Sequence, residues 1–389
     1  MKLKKLMAGV LAAVFCLQPL SAKAEQYGNI SDLGLSCESA ILVEVSGGDI
    51  LYEQNSDEQL PPASITKIMT LLLIYEAVRD GKITFDDTVT VSAHAASMGG
   101  SQVYLEEGEK QTAKELTKCI AIASANDAAV AMAEYIGGSE EGFVELMNSR
   151  AKELGMNNTT FKNACGLDEE GHLITAADIA IMSRELLHNF PEVKEYTTTW
   201  QDTITHSTRR GDSEFGLTNT NKLIRWYDGA TGLKTGSTGN AKYCLSASAD
   251  KNGMELIAVI MAAPDNKSRF SEAMKLLDYG YANYTVVTGA HKGDTAGEAE
   301  VSRGEHETVM LEMASDIKAL IPKGGSEPEL SYEIYEDICA PVEKGTKAGE
   351  AVYTLDGKTV ATADIITAES VERAGLATVA ERLLADWCG

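Results

Sequence analysis

"PPASITKIMTLLLIYEA", residues 61–77, carries one lysine in an otherwise apolar run. Lys67 is the only charged residue between Glu58 and Glu76, and Ile65, Ile68, Met69, Leu71, Leu72, Leu73 and Ile74 surround it. Pro61 and Pro62 cannot continue a helix backwards, and Ser64 is a good starting residue. The run therefore predicts a buried helix from Ser64 to about Val78. A buried ammonium is costly unless it is paired or loses its proton. Lys67 needs a partner or a task.

Outward from this helix the pattern is mixed. Residues 39–46 and 50–52 flank Gly47-Gly48-Asp49 and read as a hairpin. Helices follow: "TAKELTKCIAIAS" (112–124), entered through Thr112 with Glu115 placed for a capping box, then "NDAAVAMAEYIGG" (126–138), closed by glycines. "SEEGFVELMNSRAKELGM" (139–156) and "TAADIAIMSRELLHNF" (175–190) are two more. From about residue 194 the segments become Thr-rich and strand-like, with two strands around an Asp250–Gly253 turn and a closing helix over 268–284. Strand, helices, strands and a last helix predict an α/β (α+β) body, its sheet built from both ends of the segment with helices on both faces. Beyond Tyr284, short alternating runs between Gly and charged turns read as a small all-β domain. An amphipathic helix is expected from residue 367, with Val371, Leu376, Val379, Leu383, Leu384 and Trp387 near one face.

The length of 389 residues suggests two or three domains. The formal net charge of −24 argues against nucleic acid and against electrostatic docking on anionic lipid. At the N-terminus a basic Met1–Lys5 segment, an apolar Leu6–Leu20 segment and Ala22-Lys23-Ala24 form a signal-peptide pattern over residues 1–24. An exported chain starting near Glu25 is expected, an uncleaved anchor being the plainer alternative. Cys16 leaves with this segment. The six remaining cysteines permit disulfides, but no close pairing exists. Free structural thiols are the expectation, with Cys119 and Cys244 as small core residues. The histidines show no HExxH or i,i+4 pair, so no metal and no cofactor is expected.

Three short motifs bear chemistry. Lys67 lies three residues after Ser64, on the same helix face. A serine at a helix N-terminus sits in positive potential, and a desolvated lysine loses its proton readily. Together they make a nucleophile and base; separately they are a capping serine and a snorkelling lysine. Ser124-Ala125-Asn126 falls at the break between two apolar helices, where side chains can turn into a cleft. Its plain reading is helix punctuation, with Asp127 as a first-turn acid. Lys234-Thr235-Gly236, followed by Ser237, opens a strand pair, and its glycine lets another backbone approach. Its plain reading is an edge lysine and a turn glycine.

In this order SxxK, SxN and KTG resemble the motif set of the penicillin-recognising acyl-serine transferases. "PPASITKIMT" (61–70), "SQVYLEEGE" (101–109), "IASANDAAVAMAE" (122–134), "GHLITAADIA" (171–180) and "GATGLKTGSTGNAKYCLSASA" (229–249) narrow the match. They resemble the D-alanyl-D-alanine carboxypeptidases of the low-molecular-mass penicillin-binding proteins. The likeness is close over residues 37–284 and looser beyond. It implies a β-lactamase/transpeptidase-like domain over 25–286, an antiparallel sheet between helices, then an all-β domain over 287–366 and the helix over 367–389. It implies that Ser64 is the nucleophile, Lys67 takes its proton, and Ser124 relays a proton to the leaving amine. Asn126 would hold Lys67 and the substrate amide. Lys234 would supply positive potential, Thr235 would bind the terminal carboxylate, and Gly236 would admit the peptide backbone. The amides of Ser64 and Ser237 would form the oxyanion hole, and Arg269 would stand near the carboxylate side. The implied partners are a stem peptide ending in D-Ala-D-Ala and β-lactams as covalent inhibitors.

Three departures stand out. The tripeptide is SAN where SGN is commoner, and Cys165 stands where relatives carry a small or polar residue. The last helix, often a basic membrane anchor in this family, has Glu369, Glu372, Glu381 and Asp386 against Arg373 and Arg382. Peripheral membrane contact through it is left open. Two alternatives remain. A β-lactamase would need a deacylating glutamate, and "ELMN" (145–148) is a residue short of ExxLN. A non-catalytic wall scaffold sits poorly with intact Ser64, Lys67, Ser124, Asn126 and Lys234.

Overall fold

The structure is a computed structural model and describes residues 33–208 and 211–388. The segment read as a signal peptide lies outside the described residues. The central element is a five-stranded antiparallel sheet. Its strands are β1 (Ser39–Glu44), β2 (Ile50–Gln54), β3 (Ala230–Thr238), β4 (Lys242–Lys251) and β5 (Met254–Ala263), in the order β2-β1-β5-β4-β3. The N-terminal hairpin thus joins the strands that follow the helices, because β1 pairs with β5 from Ser39 opposite Met261 to Glu44 opposite Leu256.

Helices α1 (Lys67–Arg79), α2 (Ala113–Ala123), α3 (Asn126–Gly137), α4 (Glu140–Glu153) and α5 (Ala176–Asn189) come between the two halves of the sheet; α6 (Asn266–Asn283) follows it. Ile41, Val43, Ile257 and Val259 share a core with α1, whereas Ala40, Leu42, Leu256 and Ala258 share another with Leu276 and Leu277 of α6. Alternate residues of one strand enter opposite cores, so β1 and β5 need apolar residues throughout. Thr112 caps α2 by accepting from the Glu115 N–H at 3.1 Å. Gly138, left-handed at φ 77°, ends α3.

The stretch around Lys67 differs from the expected helix at its start. Ala63–Thr66 form one 3-10 turn, and the α-helix begins at Lys67. Ser64 is therefore not a capping serine, since its hydroxyl accepts from Lys67 Nζ instead. Ile68, Met69, Leu71, Leu72 and Ile74 are all buried. At about 1.5–3 kcal/mol for each such side chain, their burial outweighs the desolvation of one lysine.

From Tyr284 to Thr367 the regular structure is strand. A six-stranded sheet and a two-stranded pair cover a third core that includes Val309, Leu311, Ile317, Ala351 and Ile365. Val371 belongs to this core and not to the last helix, because its N–H and carbonyl both bond to Val342. With Ala368 likewise bonded to Met310, the backbone there cannot be helical. The helix α7 accordingly spans Leu376–Cys388, a later start than residue 367. Cys37, Cys119, Cys165 and Cys244 are free and buried, and Cys339 is free and exposed.

Candidate active site

Three segments converge on Lys67. The 3-10 turn offers Ser64 Oγ, which accepts from Lys67 Nζ at 2.9 Å. The first residue of α3 offers Asn126 Oδ1 at 2.6 Å, and the loop between α4 and α5 offers the Cys165 carbonyl at 2.6 Å. The three N–H groups of a fully buried ammonium thus meet three oxygens. Burial nevertheless dominates and lowers the Lys67 pKa from 10.5 to about 8, with Cys165 and Asp127 opposing the shift. The side chain is poised between partnered cation and neutral base.

Asn126 is itself fixed. Its Nδ2 donates to the Gly99 carbonyl at 2.7 Å, and its N–H donates to the Ser101 carbonyl at 2.7 Å. Asp127, the next residue, accepts from the Val103, Leu105 and Ala128 N–H groups and so ties the 99–105 loop to α3. Ser124, at the end of α2, is left-handed with φ 60°. This conformation costs a serine about 1–3 kcal/mol. It brings Ser124 Oγ to Lys234 Nζ at 2.8 Å.

Lys234 is buried on β3 and also donates to its neighbour's carbonyl, Thr235 O, at 3.0 Å. Burial drives its pKa well down, and the nearby cations Lys67 and Arg269 add to that. The second-cation effect thus falls on Lys234, whereas burial governs Lys67. Thr235 Oγ1 donates to Thr220 Oγ1 at 2.7 Å. Gly236 is pressed against the turn that carries Ser64, where a Cβ would lie 2.9 Å from Pro62 O and 3.1 Å from Ile65 N. Its lack of a side chain first serves the approach of β3 to Ser64. Ser237, one residue on, is exposed.

Arg269, on α6, is turned to the backbone of the strand pair. Its Nη1 donates to Gly236 O at 2.9 Å and Cys244 O at 3.4 Å, and it lies over the Phe270 ring at 4.9 Å. It reaches the KTG strand through a carbonyl and by its charge. The bonds of Lys67, Lys234 and Arg269 all go to neutral oxygens. Arg269, together with the protonated forms of Lys67 and Lys234, suits the cleft to an anionic group. Three contributors escaped the sequence reading: the Cys165 carbonyl, the Gly99 carbonyl and the Thr220 hydroxyl. A main-chain acceptor leaves no mark in side-chain identity, and Thr220 sits in an ordinary polar "NTN" run (219–221). "ELMN" lies within α4, where Glu145 is exposed and Asn148 is spent bonding the Phe161 backbone.

Residues 26–265 match the family described as D-alanyl-D-alanine carboxypeptidase, and residues 284–373 match that described as penicillin-binding protein 5, C-terminal domain. The sequence is 44% identical over 389 residues to D-alanyl-D-alanine carboxypeptidase DacF of Bacillus subtilis (strain 168), covering 99% of each chain. The structure resembles penicillin binding protein 5 from Haemophilus influenzae, with a TM-score of 0.73 and 31% identity over 89% of this chain and 100% of that one. It also resembles penicillin-binding protein D2 from Listeria monocytogenes in the ampicillin-bound form, with a TM-score of 0.54 and 33% identity over 64% of this chain and 99% of that one.

Proposed function

The chain belongs to the D-alanyl-D-alanine carboxypeptidase family, and from that premise we propose that it removes the terminal D-alanine of peptidoglycan stem pentapeptides through an acyl-enzyme on Ser64. The observation that carries the residue roles is the 2.9 Å contact between Lys67 Nζ and Ser64 Oγ, made by a lysine whose pKa is lowered to about 8. Neutral Lys67 takes the Ser64 proton as Oγ attacks the penultimate D-alanine carbonyl. Negative charge develops on that oxygen, and the amides of Ser64 and Ser237 are proposed to receive it. Lys67 hands that proton on through Ser124, itself bonded to Lys234, to the leaving amine, and D-alanine departs. Water then attacks the ester and gives a proton to Lys67, which returns it to Ser64 Oγ as the ester bond breaks. Lys234, Thr235 and, through its charge, Arg269 favour the free carboxylate of the substrate. Penicillin would acylate the same hydroxyl. Such an enzyme works outside the cytoplasm.

The test is direct. Mature protein incubated with a D-Ala-D-Ala peptide is expected to release free D-alanine, and a penicillin adduct is expected to map to Ser64 by peptide mass. Release of D-alanine from a protein whose adduct maps elsewhere would sink the assignment of Ser64. A β-lactamase would instead turn over penicillin rapidly and leave the peptide intact.

We propose in addition that α7 makes a peripheral membrane contact. Leu376 and Trp387 are 92% and 91% exposed, and Leu383 and Leu384 are exposed beside them. Among the described residues no helix is long and apolar enough to cross a membrane. Sedimentation with zwitterionic vesicles, lost on deleting 376–389, is the expected signature; equal sedimentation of both forms would remove α7 as the contact.

A further inference from the structure

We propose that His172 is a positioning residue for the nucleophile, holding the turn of Ser64 through the Thr66 hydroxyl; the inference rests on Ser64 being the acylated residue. His172 is buried in the loop between α4 and α5. The Lys162 N–H donates to its Nδ1 at 3.4 Å, which leaves the ring proton on Nε2. Nε2–H then donates to Thr66 Oγ1 at 3.0 Å, and Thr66 Oγ1–H donates to the Ala63 carbonyl at 2.9 Å. The direction of this chain is set from the Lys162 end, since each group has one proton to give.

The last acceptor explains why such a chain is useful. Ala63 precedes Ser64 with φ 48°, though it carries a Cβ. A left-handed alanine costs about 1–3 kcal/mol and persists only where its surroundings hold it. Gly166 also presses on this carbonyl, so closely that a Cβ there would lie 1.8 Å from Ala63 O. Gly166 supplies the wall and the His172–Thr66 chain supplies the tie.

The loop reaches the site at two further points. Cys165 O accepts from Lys67, and Asp168 Oδ1 accepts from Thr238 Oγ1 at 2.6 Å, one residue past Ser237. Burial keeps the imidazole neutral by lowering its pKa to about 4, with Asp168 opposing and Lys162 assisting. A histidine present only to pack would need its ring alone, which does stand perpendicular to the Phe161 ring at 5.9 Å. The chain needs the Nε2 proton, and that difference can be measured.

The experiment is stopped-flow acylation of the mature full-length enzyme by a fluorescent penicillin, which separates non-covalent capture from the acylation rate constant. His172→Leu and Thr66→Val are each expected to slow acylation by about 10- to 100-fold, as small misplacements of reacting atoms do, while capture stays nearly unchanged. His172→Gln keeps an N–H donor and Thr66→Ser keeps the hydroxyl, so both should remain near the wild-type rate. The double variant His172→Leu/Thr66→Val should be no slower than the slower single one, because both remove one chain. Equal rates for His172→Leu and His172→Gln, or multiplying effects in the double variant, overturn the proposal. If His172→Leu does not fold, Thr66→Val against Thr66→Ser decides by the same criterion. A wild-type enzyme that takes no label overturns the functional reading itself, an outcome visible before any variant is made.

Discussion

The cleft and the C-terminal strands bury their residues on opposite terms. Around Ser64 the buried groups include two lysines, an arginine and an asparagine, each bonded to neighbours from other segments. The third core is built from Ala, Val, Ile, Leu and Met with one tyrosine, Tyr353, and the helix that follows it leaves Leu383, Leu384 and Trp387 in solvent. Buried polarity is costly to maintain unless every member is satisfied. It persists where chemistry requires it. The C-terminal region has no such cluster among its core residues, and its unusual feature is exposed apolar surface. Substitutions in the cleft should therefore act on turnover, and those in α7 should act on location.

Ser64→Ala is expected to give the largest effect, a complete loss of penicillin labelling. Thermal unfolding should shift little, because Ser64 caps no backbone group. Persistent labelling of the purified variant would break the contrast at its centre. Lys67→Arg should come next, slowing acylation by about 10²–10⁴-fold, the usual range for loss of a general base. A guanidinium keeps the charge but cannot give up a proton. In the wild type, acylation should rise with pH through a group near 8, since the neutral fraction of Lys67 grows above that value. Stability should move in the same direction. The unfolded lysine holds its proton up to about 10.5 and the folded one only to about 8, so unfolding takes up protons between them and the fold gains stability as pH rises through that window. A flat acylation profile over the same window would assign Lys67 to potential alone.

A C-terminally amidated D-Ala-D-Ala peptide should be a poorer substrate by about 10- to 100-fold in kcat/KM, the worth of one charge-assisted hydrogen bond. Equal rates on the free and amidated peptides would remove Lys234 and Thr235 from carboxylate recognition. The smallest effect belongs to the other region: Leu383→Ser with Trp387→Ser should leave kcat/KM on a soluble peptide unchanged. A marked loss there would show that the two regions are coupled in turnover.

Much of the cleft was legible because its side chains recur in short motifs, and the neighbours of Lys67 are apolar enough to announce its burial. The sheet between helices followed from where strand-like and helical runs fall. What was not legible depends on backbone. The 3-10 turn at Ala63–Thr66 has helix-like composition, and only tertiary contact with Gly166 and β3 settles its form. The Cys165 carbonyl acts through an atom that every residue possesses. Val371 matched the amphipathic period of α7, but its ladder bonds to Val342 outweighed that local preference. Arg269 was placed near the right strand, yet its bond to Gly236 O depends on how α6 crosses β3 and β4.

The contact at Gly236 limits how such a cleft can diverge under antibiotic selection. Its two walls meet where Pro62, Ala63 and Ile65 touch the glycine, as blades meet at a pivot. A lineage cannot add bulk there without displacing the turn of Ser64, the proposed nucleophile, since a Cβ would meet Pro62 O, Ala63 Cβ and Ile65 N. Heritable discrimination is expected farther along the blades, at exposed positions such as Ser237, where a new side chain leaves the pivot closed.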